Sequence, residues 1–275
     1  DSSTSRGLGD VYKRQGESVN KFDAETNKQF DEAVTALEQA DNVKGLIVTS
    51  SKGVFIAGAD ITEFVSHFNK EEEEIKNWIV EINGVFSRFE DLPFPKVAAI
   101  NGAALGGGCE MTLVCEYRVM SEKAQIGLPE TQLGIFPGFG GSVRTPRVIG
   151  IDNALELIAT GKAQKPAEAL KLGLVDAVVA ADDLEAAAID LVKKAIAGDL
   201  DWQAKREEKL QPVKLNQLEQ TMAFSSAKAA IFAKANPKQY PAPAIAIETI
   251  ENHVNLPRDE ALKVEAAGFT KAAKT

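Results

Sequence analysis

The sequence predicts an α/β fold: a core of short strands and helices over residues 16–180, then an α-helical region over residues 181–275. Three observations carry this. Apolar runs of strand length recur up to about residue 180, separated by segments with apolar residues at helical spacing. Beyond that point such runs stop, and the chain becomes rich in Ala, Lys and Glu. The composition, 44% hydrophobic and 26% charged over 275 residues, suits a packed core of one large or two ordinary domains.

Residues 1–15 show no sustained period; they look like translated cloning or adapter sequence and are set outside the fold. Gly7-Leu8-Gly9 lacks the third glycine and the preceding strand of a dinucleotide fingerprint. Asp23 can cap a helix whose one face carries Phe30, Val34 and Leu37. Residues 46–49 form a short buried strand and residues 54–56 another, after which Ala57-Gly58-Ala59-Asp60 turns the chain into a short helix, residues 61–68. The charge run 70–74 is the solvated start of a helix that buries Ile75, Ile79, Ile82 and Phe86 and ends before Pro93. Strands follow at 117–120 and 124–127, then Leu128-Pro129-Glu130 and a glycine-rich loop, residues 133–142. No Gly-Lys-Ser/Thr closes that loop, so it is not a P-loop. Helices are expected at 143–150 and 152–160, another opens at Pro166, and residues 174–179 form the last strand. Candidate helices then cover 184–197, 218–235, 244–255 and 257–268.

The stretch 97–119 organises the reading. An apolar strand, Val97 to Ile100, is broken by Asn101-Gly102; three glycines, Gly106-Gly107-Gly108, then open a helix carrying Glu110 in its first turn. Free N–H groups at such a junction can hold an oxygen that gains negative charge, and a nearby carboxylate suits acid–base chemistry on a carbonyl compound. A second account stands beside this one: the glycines serve close packing or positive φ, and Glu110 only complements the helix dipole.

Several classes are disfavoured. A net charge of −9 argues against nucleic acid or an anionic membrane as main partner. The two cysteines, Cys109 and Cys115, match neither a disulfide framework nor a zinc site. His67 and His253 are isolated and lack metal-ligand spacing, so no metal is expected and a Ser/His/Asp mechanism is poorly supported. No signal peptide and no run of membrane-span length is visible.

The glycine turn with Cys109-Glu110, then Leu128-Pro129-Glu130, then Gly134-Ile135-Phe136-Pro137-Gly138-Phe139-Gly140-Gly141-Ser142, with Ala57 to Ile61 upstream, resembles the crotonase (enoyl-CoA hydratase/isomerase) superfamily. The resemblance covers roughly residues 16–275. Within the superfamily it is nearest to the hydratase/isomerase domain that opens bacterial multifunctional fatty-acid oxidation enzymes, on residues 55–64, 90–93 and 198–202. In those enzymes a 3-hydroxyacyl-CoA dehydrogenase domain follows, and it is expected to be missing here.

The resemblance implies a crotonase-like spiral of ββα units and a coenzyme A thioester substrate. It maps the two oxyanion-binding N–H groups to Ala59 and Gly107, and the two carboxylates to Glu110 and Glu130. Glu110 is assigned to water activation and Glu130 to protonation of C2. Gly138 falls beside the attacking water, Ala57 and Ile61 in the coenzyme A groove, and Gly58, Asp60, Gly106 and Pro129 among the substrate-binding positions. Lys228, Lys234 and Lys271 are the candidates for the coenzyme A 3′-phosphate. The implied activity is hydration of 2-trans-enoyl-CoA in fatty-acid β-oxidation, with 3-cis/2-trans isomerisation as a second activity. No cofactor is expected; NAD would enter only with the dehydrogenase domain. A thiolase subunit and self-association are the implied partners, and the bacterial cytoplasm the implied location. Family members usually start with a strand pair where residues 1–15 stand here, so an unpaired sheet edge is expected. The rivals are another crotonase reaction (isomerase only, hydrolase or decarboxylase) and a non-catalytic acyl-CoA-binding subunit.

Overall fold

The computed structural model describes residues 19–275 except 234, 235 and 237, and the side chains of Ile61 and Phe232 lie outside that description. The expected leader, residues 1–15, is likewise outside the described residues. The Asp23 carboxylate accepts from the Thr26 N–H at 2.8 Å and caps α1 (Ala24–Glu38), which buries Phe30, Val34 and Leu37 as its spacing predicts. β1 (Leu46–Val48), α2 (Ile61–Phe68) and α3 (Glu72–Asp91) follow.

Next come β2 (Lys96–Ile100), β3 (Ala103–Leu105) and α4 (Gly107–Leu113), then β4 (Tyr117–Ser121), β5 (Gln125–Gly127) and a 3-10 turn (Pro129–Leu133). α5 (Gly141–Ile149), α6 (Ile151–Thr160), α7 (Pro166–Lys171) and β6 (Ala177–Val179) complete the core. One four-stranded sheet runs β1-β2-β4-β6, and β3 and β5 form a second, two-stranded sheet; all these pairings are parallel. The ββα unit is therefore visible in β2-β3-α4: consecutive strands enter different sheets, and a helix closes the unit. The strand pair β4-β5 repeats the arrangement.

β2 shows how the sheet is covered. Val97 and Ala99 pack on α8 (Leu184–Ala197), while Ala98 and Ile100 face the larger core on the opposite side. Residues 54–56 and β3 differ from expectation, as does an unexpected helix, Trp202–Leu210. Residues 54–56 do not form a strand: Phe55 and Ile56 both donate to the Ala103 carbonyl (3.1 Å each), so only a single bridge, Ile56 to Ala104, survives. β3 was not predicted because Asn101-Gly102 reads as an end, whereas it is a step from one sheet to the other.

Beyond β6 the described residues contain only helices: α8, α9 (Trp202–Leu210), α10 (Gln217–Phe232), α11 (Pro241–His253) and α12 (Arg258–Ala273). α12 packs against α3, α5 and α11. A buried ion cluster fixes it there. Glu90 of α3 meets Arg144 of α5 (2.8 Å), Lys209 of α9 (2.9 Å) and Arg258 of α12 (3.2 Å). Burial alone would raise the Glu90 carboxyl; these cations outweigh it and hold it well below its usual range.

Candidate active site

The cleft starts where Asn20–Phe22 lies beside Ala57–Asp60. Phe22 donates to the Gly58 carbonyl and accepts from the Asp60 N–H, both at 2.8 Å. Extended backbone alternates its polar groups, so the Ala59 N–H between them points the other way. It meets no acceptor among the described residues, and Ala59 lines the cleft. Gly107 is the first residue of α4, where an N–H has no intrahelical partner, and it lines the same cleft.

The glycines before Glu110 have a packing cause as well. A β-carbon on Gly108 would lie 2.2 Å from the Ile56 carbonyl oxygen, so only glycine lets α4 sit against the Ile56 bridge. That seat sends Glu110 into the cleft. Its Oε1 accepts from two loop N–H groups, Phe139 and Gly141, each at 2.8 Å. Gly140 between them has φ +87°, and a β-carbon there would collide with the Arg144 guanidinium.

Glu130 stands on the 3-10 turn opened by Pro129. Thr131 Oγ1 donates to the Ile158 carbonyl (2.9 Å) and Gln132 Nε2 to that of Gly161 (2.9 Å), tying the turn to the end of α6. Glu130 Oε1 is 3.1 Å from where a Gly106 β-carbon would stand, which puts it across the glycine turn from Glu110. The residue is partly exposed, but its Oε2 is shut off from solvent and has no hydrogen-bond partner among the described residues.

Both carboxyls are pushed upward. For Glu110 burial acts first, then the charges of Glu130 and Glu265; the Gly141 and Phe139 N–H groups oppose them. Burial raises Glu130 to about 8, with Glu265 adding to it. Two such groups in one desolvated cleft do not both ionise near neutral pH. The two N–H donors favour the anion on Glu110, and the unpartnered oxygen favours the proton on Glu130.

The structure brings Ala57, Gly58, Ala59, Gly106, Gly107, Glu110, Pro129, Glu130 and Gly138 onto one cleft. Asp60 is not on that wall. It caps α2, accepts from Thr62 and pairs with Lys21 at 2.7 Å; the Lys21 hydrogen bond is the main cause that holds its carboxyl low. The Ile61 side chain and Lys234 fall outside the described residues. Lys228 is paired with Glu251 and Lys271 with Glu248, and neither lines the cleft. Sequence reasoning missed the apolar wall, built from Phe64, Phe68, Phe136, Phe139 and Phe269. It also missed the buried group behind the loop: Asn83, Ser142, His253 and Glu265. No group of three or more His, Cys, Asp or Glu side chains among the described residues is placed to hold a metal.

Two N–H groups with no acceptor among the described residues, beside two carboxyls both raised above their ordinary range, define the class: an acid–base enzyme for acyl compounds whose carbonyl oxygen gains charge during reaction. The sequence profile of the enoyl-CoA hydratase/isomerase family matches residues 4–239. The chain belongs to that family. It is 90% identical over 264 residues to the fatty acid oxidation complex subunit alpha of Psychrobacter sp. (strain PRwf-1), covering 96% of this chain and 37% of that protein. It is 62% identical over 261 residues to the protein of the same description from Acinetobacter baylyi, covering 95% and 36%. The chain thus spans little more than a third of the length of these relatives. Among solved structures it resembles an enoyl-CoA hydratase from Bacillus anthracis, with TM-score 0.62 and 32% identity over 80% of this chain and 85% of that one.

Proposed function

We propose that this chain adds water across the double bond of a 2-trans-enoyl-CoA to give the 3-hydroxyacyl-CoA, with 3-cis/2-trans isomerisation as a second activity. One observation carries the reading: a carboxylate held by two N–H donors and a carboxyl with an unpartnered oxygen face the same cleft as two free backbone N–H groups. The thioester oxygen sits between the Ala59 and Gly107 N–H groups and takes up enolate charge as water attacks. Each donor contributes about 3 kcal/mol, as single donors do in other oxyanion sites. Glu110 accepts a proton from water beside Gly138, the water oxygen bonds to C3, and Glu130 delivers its proton to C2. The aromatic wall takes the acyl chain, and Ala57, Gly58, Ile61, Gly106 and Pro129 flank the coenzyme A thioester.

Water and enoyl-CoA are the only reactants, so the step consumes no cofactor. NAD would enter only with a dehydrogenase domain following this one. A thiolase partner, self-association and a place in the bacterial cytoplasm belong to the same proposal; the relatives' description as subunits of a complex supports association with another chain. Among the described residues no helix is long and apolar enough to cross a membrane. The deciding assay follows the enoyl absorbance of crotonyl-CoA. Its decay, with 3-hydroxybutyryl-CoA as product, is expected. Tight acyl-CoA binding without any decay would instead favour the non-catalytic binding subunit.

A further inference from the structure

We propose that Glu265, on α12, is a positioning residue for the hydration: it holds loop 138–142 so that the Phe139 and Gly141 N–H groups meet Glu110. This rests on the hydration reading above. Four successive N–H groups of that loop divide between two carboxylates. Phe139 and Gly141 donate to Glu110, while Gly140 and Ser142 donate to Glu265 at 2.8 and 3.0 Å. Ser142 Oγ adds a third bond to Glu265 at 2.6 Å. Asn83 Nδ2 adds a fourth at 3.2 Å and also donates to the Gly138 carbonyl at 3.0 Å. The loop is thus gripped on both sides, and one grip lies outside the cleft.

Glu265 is fully buried and does not line the cleft, so it reaches the chemistry only through the loop. The charged groups around Glu265 are Glu110 on α4, Glu130 on the 3-10 turn and Arg144 on α5. The Arg144 guanidinium is already engaged by Glu90. His253 of α11 lies behind Ser142, with Nε2 3.4 Å from Oγ. Among the described residues the Glu265 carboxyl has no ion-pair partner of its own, and the cost of burying it is offset by four hydrogen bonds, three of them from loop residues. The structure places that stabilisation where alternate N–H groups must be aimed at Glu110.

The test compares the unmutated protein with Glu265→Gln, using two readouts. The first is kcat and KM for crotonyl-CoA hydration. A loss of about 10–100-fold in kcat with KM within about threefold is expected, the range for a small displacement of a catalytic group. The second is independent of activity: the backbone amide shifts of Phe139 and Gly141 across a pH titration. Their amides bond to Glu110, so they follow its ionisation, and in the variant that response is expected to shrink by roughly half or more as the bonds lengthen. A helix cap acting locally would leave these two amides unchanged. A folded Glu265→Gln protein with kcat within about twofold and the same amide titration overturns the proposal. If that variant does not fold, Ser142→Ala removes one of the four bonds and leaves the carboxylate; unchanged kcat and amide titration there overturn it equally. An unmutated protein that never hydrates crotonyl-CoA would sink the hydration reading, while the amide titration would still decide the part Glu265 plays.

Discussion

The ring of Phe269 lies against the α-carbon of Gly138, leaving only 2.6 Å between its Cδ2 and the place a β-carbon would occupy. A residue of the last helix therefore sets how far the second glycine loop can come forward. Gly138→Ala must push either the ring or the loop. We expect hydration to fall about tenfold or more, since small misplacements of this kind cost heavily. Adding Phe269→Leu should recover part of the rate. Steady-state kinetics on the single and double variants would check this; equal rates in Gly138→Ala and the unmutated protein would refute it.

The carboxyl pair should separate the two activities. Glu110→Gln and Glu130→Gln are each expected to lower hydration by ~10²-fold or more, with acyl-CoA binding little changed. Isomerisation moves one proton from C2 to C4 and adds no water. Glu130→Gln should abolish it, while Glu110→Gln should retain part of it. Assays of both variants with 3-cis- and 2-trans-enoyl-CoA would show this, and the opposite pattern would reverse the two roles.

The pH dependence has a definite sign. Glu130 must carry a proton to deliver it, and burial raises its carboxyl to about 8. Hydration should therefore decline as pH rises through about 8. The same raised value means that the folded chain keeps a proton the unfolded chain releases, so stability also falls as pH rises from the ordinary carboxyl range towards 8. Urea midpoints at neutral and alkaline pH should drop less in Glu130→Gln. An equal drop in both proteins would assign the loss to other groups.

His253 acts in the opposite direction. It is fully buried, its Nδ1 has no partner among the described residues, and burial, helped by Arg147, lowers it to about 3. The unfolded chain takes up a proton near the ordinary imidazole value while the folded chain does not. Its contribution is thus intact above that value and lost as pH falls from there towards 3. Between pH 7 and pH 5 this single group should remove about 2 kcal/mol. Denaturation of His253→Gln at both pH values should show a correspondingly smaller acid loss.

Helices with an apolar period, such as α1 and α3, were legible from spacing, and so was the strand–glycine–helix junction at Glu110. α9 was not, because its inward face is charged. Arg206 and Lys209 are buried against Glu116, Glu90 and the carbonyls of Leu92, Phe94, Leu113 and Cys115, so no hydrophobic period marks the helix. β3 is three residues long and follows a Gly, too short for alternation to register. Asp60 misled in the other direction: it stands in the family's motif, yet its carboxylate caps a helix. Glu265 lay hidden among alanines and lysines. The available signal was its place in the stripe Leu262, Ala266, Phe269 at helical spacing, where a solvated glutamate has no reason to be. Its partner Ser142 is 123 residues away, and only the fold could reveal that.

The buried cluster around Glu90 and the seat of Phe269 on Gly138 make α12 a late arrival at an early site. On a ribosome Glu110 is made long before Phe269, with about 160 residues between them, or roughly 8–30 s at ordinary elongation rates. Once made, the loop at Gly138 has neither its ring nor its second carboxylate until α12 follows, and Glu90 lacks Arg258 for the same time. The nascent chain can pair its strands while the cleft stays open and wet. Competence for chemistry then waits for α12 to dock, so a translational pause between residues 150 and 258 is expected to delay closure of the site.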